Sequence, residues 1–296
     1  MYNPSVFIAI VAVVSLFISA GVSEMITSVQ LQEEFKTTAD ILASVDKLLL
    51  DLEARRESLQ QTREAITQGD EGIYPTSCLI RNHHNTSVIV QVPGHQAFPA
   101  LCDSELAGQG WLVIQRRRDG LVNFYRDWSD YKKGFGNLNG DFFIGLEKLH
   151  LLTTFQPFEL YVHLENQAGV EKFAKYDEFA IGNESENYHL KILGSHSGTA
   201  GDSLIYHKGE AFSTFDRDND AHRKRNCAQY CLGAWWFKSC HQSNLNAQYL
   251  DFKNGKDVLE TPPENFRYMS WSSFDSSSNA RLKFVQMMIR PRFGCL

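Results

Sequence analysis

Between Glu24 and Gln68 the chain has no proline, no glycine and no cysteine. With no helix breaker and no covalent staple, that stretch can run as one uninterrupted helix. The chain also has no extended basic stripe, and its formal net charge is −6, so nucleic acid is not an expected partner. The motifs of common enzyme classes are missing too: there is no GxSxG, no HExxH, no Walker loop and no GxGxxG. The CxxxC from Cys227 to Cys231 has no second pair at zinc-ribbon spacing, which excludes a zinc site. Cys231 and His241 come nearest to a nucleophile with its base. In a chain with six cysteines, an even number, an oxidised secreted protein is the simpler reading. No internal repeat is visible. The chain reads as a non-enzyme.

What is present divides into three parts. Val6 to Val22 is an uncharged, mostly apolar run, and Gly21 and Ser23 stand at −3 and −1 of a cut before Glu24. Residues 1–23 therefore read as a secretory signal peptide, with a membrane-held signal anchor as the alternative. From 24 to 70, Leu31, Val45, Leu52, Leu59 and Ile66 share one heptad position, with Thr38 in the missing slot. Ile41 and Leu48 take the d position, which Glu34, Arg55 and Thr62 interrupt. This pattern suits a helical coiled-coil stalk that self-associates, or else an amphipathic helix folded back on a globular partner. Gln68 to Gly72 ends the helix.

Residues 74–296 read as the globular part. SVIVQV with the Pro93-Gly94 turn, WLVIQ (111–115), FELYVHLEN (158–166), KFAKYDEFAIG (172–182), His189–Leu193 and LKFVQMMIR (282–290) read as strands. WLVIQ, apolar almost throughout, is expected in the centre of a sheet, and the C-terminal run is expected to return into it. Phe142 to Leu152 reads as a short helix. Mixed, mainly antiparallel strands with a few short helices make the fold class α+β. Asn85-Thr86-Ser87 and Asn183-Glu184-Ser185 are N-glycosylation sequons.

The densest chemistry lies between Phe212 and Tyr249: FSTFDRDNDAHRKRNCAQYCLGAWWFKSCHQSNLNAQY. Asp216, Asp218 and Asp220 alternate with Arg217 and Asn219. Alternating oxygen side chains suit a hard cation such as calcium, although a solvated acidic turn has the same composition. FSTFDRDND, NCA, GAWW and CHQSNLN here, with GWLVIQRRRDG, NFYRDW, YKKGFGNLNGDFFIGLEKLHLLT, FAKYDEFAIG, SGTAGDSL and MMIRP elsewhere, resemble the fibrinogen-related domain family. That family includes fibrinogen chains, ficolins, tachylectins, angiopoietins and tenascins. The resemblance covers roughly residues 74 to 296.

The resemblance implies several residue roles. Cys78 would pair with Cys102, and Cys227 with Cys240. Calcium would be held by the carboxylates of Asp218 and Asp220 and the backbone carbonyls of His222 and Lys224. A cis peptide would join Ser239 to Cys240 beside a ligand pocket, with His241, Trp236 and Phe266 around it. Core packing is the simpler role for Trp235 and Trp236. The chain also departs from related domains. It is longer between the acidic run and Cys227, and carries His222-Arg223-Lys224-Arg225 where relatives usually have a glycine. Cys231 stands where lectin members place a tyrosine. Cys231 and Cys295 are left over, to bridge within the chain, which is the expectation here, or between subunits. The implied function is a secreted, calcium-binding, lectin-like protein recognising glycans or acetylated groups in innate defence. The alternative is an extracellular protein-binding ligand of the angiopoietin kind, in signalling or adhesion.

Overall fold

A computed structural model of the chain describes residues 74–79, 86–249, 267–275 and 281–292, with a few helical positions between 45 and 57. The expected signal peptide, most of the heptad stretch, the sequon at Asn85, Phe266 and Cys295 lie outside the described residues. Within the heptad stretch Val45 and Leu52, seven positions apart, are both helical, and their side chains are 44% and 60% exposed. Among the described residues no helix is long and apolar enough to cross a membrane.

The globular part is built on one twisted sheet. Its strands in chain order are β1 (Ser87–Val90), β2 (Phe98–Asp103), β3 (Trp111–Arg117), β4 (Phe135–Gly136), β5 (Phe142–Phe143), β6 (Phe158–Asn166), β7 (Glu171–Ile181), β8 (Leu190–Leu193), β9 (His196–Gly198) and β12 (Leu282–Pro291), while β10 (Ser243–Asn244) and β11 (Ser270–Trp271) form a separate pair. The large sheet runs β1-β2-β3-β12-β6-β7-β8, with β5 joining β3 to β4 and β9 on β7. Every strand pairing in it is antiparallel; the single parallel contact among the described residues is an isolated bridge from Gln248 to Tyr268.

The C-terminal strand β12 does return into the sheet. It sits between β3 and β6, so the end of the chain closes the centre. On β6 the alternation places Phe158, Leu160, Val162 and Leu164 in the main core, as a two-residue side-chain period requires. β3 is apolar on both sides because both sides are covered: Leu112 and Ile114 face the main core, while Trp111 and Val113 join a smaller cluster with Leu101, Phe142 and Met288.

Two helices pack into the main core. Helix α1 (Trp128–Lys133) is capped by Asp127, whose carboxylate accepts from the Asp130 amide. It stops at Gly134 with φ +90°, where a Cβ would come within 2.3 Å of the Ile144 carbonyl oxygen. Helix α2 (Leu146–Phe155) starts later than expected. Phe142 and Phe143 pair with β3 instead, and Gly145, at φ +106°, turns the chain from strand to helix. Cys78 and Cys102 are bonded, tying the N-terminal segment to β2. Such a loop is worth about 3.5 kcal/mol in the chain-entropy account.

Candidate ligand and cation site

The segment from Phe212 to Tyr249 contains little regular structure: helix α3 (Cys227–Tyr230), strand β10 and isolated bridges. Its shape comes from specific hydrogen bonds. Ser213 and Trp235 exchange backbone bonds of 2.9 and 3.2 Å, pinning the acidic run to the tryptophan pair. The Ala221 amide donates to the Lys238 carbonyl at 3.0 Å, drawing the acidic run against the chain that leads to Cys240. The Cys227–Cys240 disulfide closes the same two loops covalently.

The three aspartates take different places. Asp216 accepts from the Trp128 amide at 3.0 Å and from the Thr214 hydroxyl at 2.7 Å. It therefore satisfies an open N–H in the first turn of α1, a partner 88 residues away that nothing local in the sequence signals. Asp220 accepts from the amides of His222 and Cys227, both at 2.7 Å, one on each oxygen. Asp218 lies against Asp220 and accepts from the Asp220 amide at 3.3 Å. Burial first, and then the neighbouring Asp218 carboxylate, hold the Asp220 carboxyl above the usual range, against the pull of its two amide donors.

Among the described residues the basic run beside this pair makes no ion pair with it. Arg225 lies over the Tyr230 ring at 4.4 Å, and Arg217 sits over Trp128 at 4.0 Å while donating to Asn187. Two adjacent carboxylates, Asp218 exposed and Asp220 half-buried, are oxygen donors of the kind a hard cation takes; the carbonyls of His222 and Lys224, expected from the resemblance, follow them directly in the chain. Among the described residues no group of three or more His, Cys, Asp or Glu side chains gathers, so such a cation would depend on carbonyls and water for its remaining ligands.

The second loop carries the cis peptide, which joins Ser239 to Cys240. Around it the Lys238 amide donates to the Cys240 carbonyl at 2.9 Å, and the Tyr206 hydroxyl reaches the Ser239 carbonyl at 3.4 Å. His207 holds this loop from beneath. Its Nδ1–H donates to the Trp236 carbonyl at 2.6 Å, and its Nε2 accepts from the amides of Gln242 and Ser243 at 3.2 and 3.1 Å. That pattern requires the neutral ring with the proton on Nδ1. Burial pushes the His207 pKa down to about 3. No motif in the sequence marks His207.

Two expectations are corrected here. Trp236 does not face a ligand: it is 1% exposed, packs on Phe212 and Trp235, and its indole donates to the Tyr188 carbonyl. It belongs to the core, as does Trp235. Cys231 carries a free thiol where a bridge was expected; its expected partner, Cys295, lies outside the described residues. The Cys231 side chain is fully buried, and burial pushes its pKa up to about 12, which removes both a thiolate nucleophile and an exposed point for linking subunits. Ser239, Cys240 and His241 remain at least partly accessible on the loop surface.

Comparison with known proteins gives this arrangement its family. Residues 79–292 match the family described as fibrinogen beta and gamma chains, C-terminal globular domain. The chain belongs to that family. Over 219 residues it is 42% identical to fibrinogen-like protein A of Apostichopus parvimensis, covering 73% of each chain. It is 36% identical to mouse angiopoietin-related protein 7 across 92% of this chain and 80% of that one. It is 40% identical to human fibrinogen C domain-containing protein 1, but spans only 45% of that protein's length. Among solved structures, the fibrinogen-like globe domain of human ANGPTL2 superposes with a TM-score of 0.66 at 38% identity, over 73% of this chain and 99% of that one. A lamprey fibrin D-dimer, complexed with the peptide ligand Gly-His-Arg-Pro-amide, superposes with a TM-score of 0.61 at 27% identity, over 91% and 96%. Fibrinogen-like domains of this kind bind ligands and do not catalyse.

Proposed function

We propose that this fibrinogen-related protein is a secreted recognition molecule whose ligand site is the surface around Ser239, Cys240 and His241, supported by calcium at Asp218 and Asp220. The observation that carries the reading is the joining of the two loops: the Ala221–Lys238 hydrogen bond and the Cys227–Cys240 disulfide place the carboxylate pair and the cis-peptide loop in one unit. A cation there would stabilise the acidic turn, and through it the shape of the ligand loop. The ligand class is glycans or acetylated groups, and innate defence is the setting. Self-association runs through the 24–70 helix, in keeping with the exposed Val45 and Leu52. Asn183 carries an N-glycan: it is exposed, and its side chain accepts at Oδ1 from the Glu186 amide and the Ser185 hydroxyl.

A second reading, a protein-binding extracellular ligand, is favoured by the angiopoietin-related relatives and by the peptide held in the lamprey structure. A glycan array probed with and without EDTA separates the two. Strong binding that EDTA abolishes supports the lectin. Silence on every glycan removes the lectin reading and leaves the protein ligand.

A further inference from the structure

Adjacent basic residues occur in three places in the globular part: Arg116-Arg117-Arg118, Lys132-Lys133 and Arg223-Lys224-Arg225. The first run ends strand β3, with Arg117 1% exposed. The second closes helix α1. The third lies outside every helix and strand, and all three of its residues are exposed.

Little holds that third run in place. Among the described residues the Arg223 and Arg225 backbones make no hydrogen bond, and the Lys224 amide makes one, to the His222 ring at 3.2 Å. None of the three side chains joins an ion pair among the described residues. Arg225 rests over the Tyr230 ring at 4.4 Å. Exposed loop tips are the preferred points of proteolytic nicking. A protease must also lay its substrate out locally, which costs least where few bonds have to open.

We propose that Arg223-Lys224-Arg225 is a cleavage site for a serine endoprotease that reads paired basic residues, and that the cut falls between Arg225 and Asn226. Acidic pockets in such an enzyme take the Arg225 guanidinium and the Lys224 ammonium. Water supplies the hydroxyl of the new Arg225 carboxyl and the hydrogen of the new Asn226 amine. At neutral pH these are a carboxylate and an ammonium.

Neither of the two disulfides spans the cut: Cys78–Cys102 lies before it and Cys227–Cys240 after it. The later piece stays in the fold through β12, which pairs with β3 on one side and β6 on the other. Asp218 and Asp220 fall on the earlier piece. Cys227, whose amide donates to Asp220 at 2.7 Å, falls on the later one. The cut therefore breaks the covalent path from the aspartate pair to the loop of Ser239 and Cys240. Hydrogen bonds such as Ala221–Lys238 and Ser213–Trp235 are left to join them. The uncoupling of calcium from the ligand loop rests on the calcium reading above; the cut itself does not.

The test is incubation of the full secreted protein, native and with disulfides intact, with a kexin-type paired-basic endoprotease in calcium buffer. The parent should be cut once, at a site that N-terminal sequencing reads as Asn226. The product should give two pieces in detergent without reductant, and a single species in gel filtration. The Arg225→Gln variant changes an exposed side chain and should keep the parent's melting temperature. It should be cut about tenfold more slowly or not at all. A parent that stays intact while a synthetic peptide of residues 219–230 is cut overturns the proposal. So does first cleavage after Arg118 or Lys133, or parent-like cleavage of the variant. The purified cut protein should lose most of the calcium-dependent rise in melting temperature, and a full rise overturns the uncoupling. An uncut parent that shows no rise defeats the calcium reading and leaves the cleavage site standing.

Discussion

The His207 latch should make the protein acid-sensitive in a measurable way. In the folded state its ring is neutral, with a pKa pushed down to about 3 by burial; in the unfolded chain it should titrate near 6.5. Below that value the unfolded state takes up a proton that the folded state refuses, so stability rises with pH between the two values and is lost as pH falls through 6.5 towards 3. At about 1.4 kcal/mol per pH unit, His207 alone should remove about 2 kcal/mol between pH 6.5 and pH 5. The perturbation is His207→Gln, measured by urea unfolding at a series of pH values, with parent and variant both in EDTA and with disulfides intact. At pH 7.5 the variant should be less stable by about 2–4 kcal/mol, because three hydrogen bonds around the ring are lost or bent. At pH 5 that gap should shrink by about 2 kcal/mol, since the variant has no proton to take up there. Taking the difference cancels the other histidines, including His163, whose pKa burial also lowers. Parallel stability curves for parent and variant would refute the neutral, buried latch.

Three other outcomes are expected. Asp218→Asn/Asp220→Asn should abolish any calcium-dependent rise in melting temperature, since a ligand of the folded state stabilises by mass action; a parent-like response to calcium would move the cation elsewhere. Arg117→Met should cost about 3–5 kcal/mol in urea unfolding, because it removes the cation 3.7 Å from the buried Asp141 carboxylate and the donor to the Leu245 and Ala247 carbonyls, whereas Arg117→Met/Asp141→Asn should recover part of that loss; no recovery would mean that the pair's charge is not what matters. Removing residues before Tyr74 should lower the sedimenting mass of the assembly if the heptad stretch oligomerises, and equal monomeric masses before and after truncation would end that role.

The strands that build the sheet were legible because their pattern is local. FELYVHLEN and LKFVQMMIR alternate, and both appear as strands with nearly the expected limits. Phe142-Phe143 was harder: two aromatics running into a helical pattern look like its first turn, and only Gly145 marks the break. The Asp218–Asp220 pair stood out by spacing. The capping by Asp216 and the latch of His207 did not, because their partners lie 88 and 29 to 36 residues away. Trp236 misled for a related reason: nearness in sequence to a pocket loop says nothing about which side of the backbone a ring takes.

These long-range contacts explain how an irregular segment can hold a site at all. The chain from Trp235 to Ala247 has one two-residue strand to fix it. In place of a ladder it is gripped by buried polar side chains from other parts of the fold. His207 holds the Trp236 carbonyl and the amides of Gln242 and Ser243. Arg117, from β3, donates to the carbonyls of Leu245 and Ala247 at 3.2 and 2.7 Å, and Gln115 from the same strand donates to Leu245 at 2.9 Å. Backbone groups in a buried loop must find partners or cost free energy. Here those partners are supplied by the rigid sheet on one side and by a short 3-10 turn on the other. The surface of the same loop is therefore left free to vary while its path is fixed from below. That division places the fixing of the loop's path in the buried Gln115, Arg117 and His207 and leaves Lys238 and Ser239 exposed on its surface.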